Sequence, residues 1–415
     1  MKIVIANKYY YIDGGPERYM FNLTDYLTRL GHQVVPFSVA YAKNQPSEYE
    51  QYFVKPSGGG TDSKLNKLEG GIRTKLRIAA RSIYSYEAKR ALERLIVDIQ
   101  PDLLYCLNIV NHISPSIIDA ASKYKMPVIM RLSDYYLLCP SYLYLRDGNI
   151  CTDCERGFYH ALRHKCIYGS MSATMCRVIG MYWHKVIRVY RNVNAFVTTT
   201  QFMRNRMINA GFPSEKIYHI PTFVDVSKWT PNYDNDGYIL YFGRLSPEKG
   251  VEYLLKSYAM STTKDLLLIV GDGPDDYVEQ LKSLAASVQG KQITFTGKKS
   301  GEDLQKTVYG AKYVVVPSLW HDNAPNVVYE SFAAGKPVIA TALGGLREQV
   351  TDQTGILVEP KNYEQLAEAL DRLSSSSDLV VQLGQNAREL VEQKHTIEAH
   401  TEHLIQLFNS VKGTV

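Results

Sequence analysis

The chain has 415 residues, 45% hydrophobic and 21% charged, a balance ordinary for globular proteins that excludes a disordered polymer. Its net charge of +5 is unevenly spread: residues 1–230 hold 30 Lys and Arg against 18 Asp and Glu, and residues 231–415 hold 17 against 24. No stretch of about 18 apolar residues marks a spanning helix, and no helix-turn-helix or finger pattern marks nucleic acid as a partner.

In chain order, KIVIAN (2–7) reads as a first strand, with no long apolar leader region ahead of it. A Gly14-Gly15 turn follows. A helix then runs from Pro16, with Met20, Leu23, Leu27 and Leu30 on one face and Gly31 as its stop. HQVVPFSV is the next strand, and others are expected at 102–107, 127–132, 195–200 and 216–222. The stretch VKPSGGGTDSK (54–64) reads as a mobile loop. The apolar run SMSATMCRVIGMYWHKVIRVY (170–190) is broken by Arg177, His184, Lys185 and Arg188. The turn-rich VDVSKWTPNYDNDG (224–237) interrupts the rhythm and marks a domain boundary. Strands then resume at 238–243, 266–271, 292–297, 313–318, 337–342 and 355–360. Strands alternating with helices predict two successive α/β halves, each with a mostly parallel sheet.

Three segments could carry chemistry. In YVVVPSLWHDNAPNVVYESFAAGKPVIATALGG (313–345), a strand ends at Ser318 and Pro325 suits the start of a helix that stops at Gly335. The free amides of that first turn, around Asn323, Ala324, Pro325, Asn326, Val327 and Val328, would seat a diphosphate. Asp322 and Glu330, on loop and helix, could each accept two hydrogen bonds from sugar hydroxyls; the alternative is a dipole-favoured acid and a surface Glu. In YFGRLSPEKG (241–250), Gly243 ends a strand, and Arg244 and Lys249 would project where ligands bind in open α/β sheets. Two fixed cations there would stabilise a departing diphosphate, unless they are ordinary surface residues. In IDGGPERYMF (12–21), Gly14 and Gly15 permit close backbone approach to a phosphate or sugar. VGDGPDDY (270–277) lacks the third glycine of a dinucleotide fingerprint, which disfavours a nicotinamide-dependent dehydrogenase.

The order and spacing of GGPERY, FGRLSPEKG, VGDGP, FTG and DNAPNVVYESFAAGKPVIAT resemble family 4 of the retaining glycosyltransferases, over nearly the whole chain. The resemblance implies the GT-B fold: two doubly wound Rossmann-like domains facing each other across a cleft. It implies an acceptor-side domain at 1–223, a nucleotide-sugar donor domain at 224–395, and a C-terminal helix at about 396–415 that returns to the first domain. It assigns Glu330 to the donor ribose and Asp322 to hydroxyls of the transferred sugar. Arg244 and Lys249 go to the diphosphate, the Gly297-Lys298 turn to the base, and Gly15 to the phosphate and sugar from the opposite domain. The family's Glu-x7-Glu begins here with Asp322, shortening the reach by roughly 1.5 Å, a departure that bears on which sugar is taken. In MRLSDYYLLCP (130–140), Ser133 stands where histidine is common, leaving His112 as the nearest histidine candidate. A binding protein without turnover would be the other reading of these two departures. The implied reaction uses a UDP- or GDP-sugar as substrate, needs no cofactor or metal, and retains the anomeric configuration.

The implied acceptor is a glycan or polyprenyl-linked glycan of surface polysaccharide assembly. The basic first half suits such an anionic acceptor or peripheral contact with an anionic membrane; much of its excess lies at Lys64, Lys67, Arg73, Lys75, Arg77, Arg81, Lys89 and Arg90. A solvated helix face is the other reading of that run. Cytoplasmic residence, peripheral to the inner membrane face, is the expected location. Cys139, Cys151, Cys154 and Cys166 fall in one segment, with Cys151-x2-Cys154 at metal-ligand spacing; a structural zinc clip and packed free thiols are both open.

Overall fold

Continuous apolar runs make the central strands. In the computed structural model, which describes residues 1–56 and 72–413 with the backbone alone at 72–76, β1 (Lys2–Ala6) buries every residue from Ile3 to Ala6. A strand covered on both faces needs no polar alternation, so KIVIA is apolar throughout its interior. The first half continues with β2 (Gln33–Phe37), β3 (Leu103–Cys106) and β4 (Val128–Leu132). A small hairpin follows, β5 (Leu145–Arg146) and β6 (Asn149–Ile150), before β7 (Ala195–Thr198) and β8 (Ile217–His219). The second half holds β9 (Tyr238–Phe242), β10 (Leu266–Val270), β11 (Ile293–Gly297), β12 (Ala311–Val316), β13 (Val338–Thr341) and β14 (Gly355–Val358).

Each half forms one all-parallel sheet, ordered β2-β1-β3-β4-β7-β8 and β11-β10-β9-β12-β13-β14. Val4 and Ala6 face one core layer and Ile3 and Ile5 the other; Tyr241 and Phe242 divide in the same way in the second sheet. Strand order reverses between β1 and β3, and again between β9 and β12. At such switch points the loops leave in opposite directions, opening a crevice at the carboxyl ends where ligands bind. The architecture is two Rossmann-like domains, the GT-B arrangement.

The chain crosses between the halves twice, at Val224 and His395. The two crossings run side by side, since the Val224 amide donates to the His395 carbonyl at 2.9 Å. The closing helix Ile397–Lys412 lies on the first sheet, where Leu404, Leu407 and Phe408 join Ile3, Ile5 and Tyr105 in one cluster. His400 ties it down through Tyr19 Oη at 2.8 Å and the Pro221 carbonyl at 2.6 Å.

The expected strand at 216–222 stops at His219, because Pro221 has no N–H to continue a ladder. The hairpin at 145–150, absent from the expected strands, turns on Asp147 and Gly148, both at positive φ (49° and 72°), as an Asp-Gly pair favours. No helix among the described residues is long and apolar enough to cross a membrane. Residues 57–64 of the Gly-rich stretch, with Lys64 and Lys67 of the basic run, lie outside the described residues, as do the side chains of Arg73 and Lys75.

Candidate active site

The loops leaving β9 and β12 run against each other at the second switch point. Gly250, at φ 71°, has no alternative: a Cβ there would sit 1.9 Å from the Pro317 carbonyl oxygen. This backbone contact brings Lys249 onto Asp322. The two side chains form a short ion pair, 20% and 8% exposed, and Ser318 Oγ donates to Asp322 at 3.0 Å. Lys249 also lies over the Trp320 ring, 5.4 Å from its centre. Arg244 stands outermost on the same loop, 56% exposed, with Glu248 at 2.7 Å. Two cations, each paired with a carboxylate, thus share one loop cluster.

Beyond Asp322 the chain enters the helix Asn326–Ala333, with Pro325 as its extended cap residue. The Val328 amide, expected to be free, donates to the Pro325 carbonyl at 3.2 Å, which leaves the amides of Asn326 and Val327 without intrahelical acceptors. Across the cleft stands Gly15, at the start of the helix Gly15–Arg29; a Cβ there would come within 3.1 Å of the Asn326 side-chain nitrogen. Glu17 fixes this turn from beneath, accepting from the Gly14 amide at 3.0 Å and from Asn7 Nδ2 at 3.2 Å. Burial raises the Glu17 pKa, opposed by its hydrogen bond from Asn7.

Glu330 emerges one turn into the 326–333 helix and meets Arg18 of the opposite domain at 2.9 Å. Burial raises the Glu330 pKa, and the Arg18 charge pulls it back. Arg18 was not among the residues the motifs singled out. One signal was available: a cation in a first helical turn opposes the helix dipole and needs an external reason to be there.

Three more ties hold the domains together. Asn323 accepts from Thr200 Oγ1 at 2.9 Å and donates to the Leu132 carbonyl at 3.2 Å. Glu348 accepts from the Gln201 and Phe202 amides at 2.7 and 2.6 Å, capping the helix Gln201–Asn209 from the other domain. His321 packs its ring on Phe202, with centres 4.6 Å apart, and burial lowers its pKa to about 4. Neither His321 ring nitrogen has a hydrogen-bond partner among the described residues. Thr200, His321 and Glu348 also escaped the sequence reading, since nothing local marks a contact between domains.

The remaining candidates are more scattered. Gly243 lies at the carboxyl end of β9 and Gly297 at that of β11, joined edge to edge through the Gly243 amide to the Val270 carbonyl and the Gly271 amide to the Gly297 carbonyl, each 3.0 Å. Lys298 is exposed on this rim, two strands away from the switch point. Ala324 and Val327 flank the Pro325 cap, both half-buried. His112 follows β3 and is buried, its ring edge-on to Tyr41 at 6.0 Å. Burial, with Lys8 and Arg81 near, lowers its pKa to about 4, and its Nδ1 has no partner among the described residues. Ser133 accepts from Arg131 at 2.5 Å.

An open cavity of about 860 Å³ lies elsewhere, in the first domain, lined by Tyr136, Phe158, Arg177, Tyr182 and Arg188 among others. Its single carboxylate, Glu155, is engaged by Arg206 at 2.6 Å, so it lacks the paired acids found at the cleft. The six cysteines are free, and burial followed by the neighbouring Cys139, Cys166 and Cys151 pushes the Cys154 thiol up to about 12. Among the described residues no three His, Cys, Asp or Glu side chains stand so as to hold a metal.

Comparison with known proteins matches residues 13–228 to the model "Glycosyltransferase Family 4" and residues 226–390 to "Glycosyl transferases group 1". A 42.6 kDa protein of the cps region of Klebsiella pneumoniae is 26% identical over 360 residues, 84% of this chain and 87% of that one. A GDP-mannose-dependent mannosyltransferase of Corynebacterium glutamicum, named for a monoacylated phosphatidylinositol monomannoside, is 28% identical over 54% of this chain and 64% of its own length. Among solved structures, sucrose-phosphate synthase from Thermosynechococcus elongatus superposes with a TM-score of 0.71 at 19% identity, covering 100% of both chains. HepE of Anabaena, solved with UDP and glucose, superposes at 0.66 and 17% identity, covering 99% of this chain and 100% of its own. At those identities the superpositions establish the fold.

Proposed function

The chain belongs to glycosyltransferase family 4, and we propose that it moves a hexose-type sugar from a UDP- or GDP-sugar to a glycan or polyprenyl-linked glycan with retention of configuration. One observation carries the reading: Lys249, Asp322 and the open amides of the 326–333 helix share one switch point, opposite Gly15. As the glycosidic bond breaks, negative charge collects on the departing diphosphate. The fixed helix amides would meet that charge, joined by Arg244 and Lys249 as they turn in part from Glu248 and Asp322; such electrostatic stabilisation is the largest source of rate in many enzymes. Asp322 would accept from hydroxyls of the transferred sugar, and Glu330 from the ribose, Arg18 holding its other oxygen.

Retention follows in this reading from attack on the face the diphosphate leaves, with a leaving phosphate oxygen taking the acceptor's proton. No metal is needed for these steps, so turnover should survive chelation. The basic first domain would receive an anionic or membrane-borne acceptor, placing the enzyme at the cytoplasmic surface of the inner membrane.

Thermal shift across UDP-, GDP- and ADP-sugars tests the donor, since a ligand bound only by the folded form raises Tm by mass action. Product anomeric configuration by proton NMR tests retention. Arg244→Ala should abolish transfer and leave Tm nearly unchanged, its side chain being more than half exposed. Full turnover in Arg244→Ala would dismiss the site.

A further inference from the structure

From Arg156 to Ser214 the chain contains no Asp or Glu, yet nine Lys and Arg. Within this acid-free stretch lies the helix Met171–Val186, capped by Ser170, whose hydroxyl accepts from the Ala173 amide. Gly180 and His184 pack on the helix Ile72–Ile83, whereas Thr174 and Val178 pack on the segment at 154–167, Thr174 Oγ1 accepting from the Ile167 amide at 3.0 Å. His184 Nε2 meets the Ile83 carbonyl at 2.6 Å, and Gly180 admits the Ile83 side chain, which a Cβ would meet at 3.2 Å. The outer face should therefore be polar. Instead it presents Met171, Met175, Ile179, Tyr182, Trp183 and Val186, between 37% and 72% exposed. Their spacing of three and four residues makes one continuous stripe about 24 Å long.

Isolated apolar side chains on a surface need no explanation, but a contiguous stripe does. The charge around it identifies the partner. Arg163, Lys165, Lys185 and Arg188 border the helix, all exposed, and none has an ion-pair partner among the described residues. A hydrophobic face carrying Trp and Tyr and bordered by these four cations matches the headgroup boundary of an anionic bilayer. The helix cannot cross a membrane and so would lie in its surface.

We propose that the outer face of the Met171–Val186 helix docks on an anionic phospholipid bilayer, inserting Trp183 and Ile179 below the headgroups. The proposal rests on the membrane-borne acceptor reading and moves the point of contact from the run at 64–94 to this helix.

The chain carries its own probe. Its other two tryptophans, Trp229 and Trp320, are buried at 9% and 7% exposure, whereas Trp183 is 47% exposed. With the full chain titrated into phosphatidylcholine vesicles containing phosphatidylglycerol, emission should shift to the blue and be quenched by lipids brominated along the acyl chain. Trp183→Phe should abolish the spectral change while co-sedimentation persists within a few-fold. Ile179→Glu with Val186→Glu, both on exposed positions, should lower partitioning by at least about tenfold. Donor-induced thermal shift and donor hydrolysis should be unchanged in that variant. Equal binding to pure phosphatidylcholine, absent quenching, or unaltered partitioning of the double variant would each overturn the proposal. Since donor binding is read separately, a protein that ignores vesicles but binds nucleotide-sugar would defeat this inference and spare the transferase reading.

Discussion

Replacing Lys249 by Met separates what the Lys249–Asp322 pair does for folding from what it does for chemistry. The substitution keeps the length of the side chain and leaves Asp322, 8% exposed, with Ser318 Oγ as its remaining side-chain donor. Breaking a buried ion pair by removing one partner costs about 3–5 kcal/mol. Lys249 keeps 20% of its side chain in solvent, which puts the expectation near the lower bound, about 3 kcal/mol. For a half of this size, each kcal/mol moves the midpoint by about 2–4 °C, so Tm should fall by roughly 6–12 °C. Adding Asp322→Asn removes the stranded charge and should restore most of that loss. Turnover should behave differently. Losing one fixed donor to a developing anion lowers kcat by roughly 10²–10³, and a neutral amide in place of the carboxylate cannot supply the missing cation. The assay is therefore paired: differential scanning fluorimetry and sugar transfer on Lys249→Met, Asp322→Asn and the double variant. If turnover returned together with Tm in the double variant, Lys249 would be a structural counter-ion and the diphosphate role would fail.

Arg18→Ala should raise KM for the donor several-fold while changing stability by less than about 1 kcal/mol, since Arg18 is 45% exposed and such pairs contribute little to folding; steady-state kinetics beside urea unfolding will check this. Glu348→Ala removes the acceptor of two amides at the Gln201 helix and should loosen the contact between domains, seen as faster proteolysis at the paired crossings near 224 and 395. Stability should also fall with acid. Burial holds His112 at a pKa of about 4 against 6.5 when unfolded, so from about pH 6.5 downward the unfolded chain takes up a proton that the folded one refuses. The loss from this one residue is complete below pH 4 and amounts to about 3 kcal/mol; His112→Asn should flatten the slope in denaturant titrations between pH 7 and 4.5 by a corresponding part.

Much of the layout was legible in the chain because strands and switch-point loops are local. IVIA, YILYF and VVV are short, uninterrupted apolar runs, too short for a buried helix and suited to a strand covered on both faces. Asp322, Pro325 and Glu330 lie within nine consecutive residues, so one strand-loop-helix unit sets their spacing. Arg244 and Lys249 are joined to them in the sequence only through the resemblance to family 4; that their loop leaves a strand beside β12 is set by the sheet order. By contrast, the partner of Glu330 lies 312 residues away, and that of Glu348 nearly 150. Such pairs leave no periodicity and no spacing, since each side chain obeys its own helix and meets the other only when two separate sheets are brought face to face. The exposed stripe on the Met171–Val186 helix belongs with them. Its sequence is equally suited to a buried core helix, and only its packing on Ile72–Ile83 and on the segment at 154–167 decides which face is left to solvent. Sequence determined which groups could act; the fold decided which of them share a surface, because that depends on the docking of whole domains rather than on neighbours along the chain.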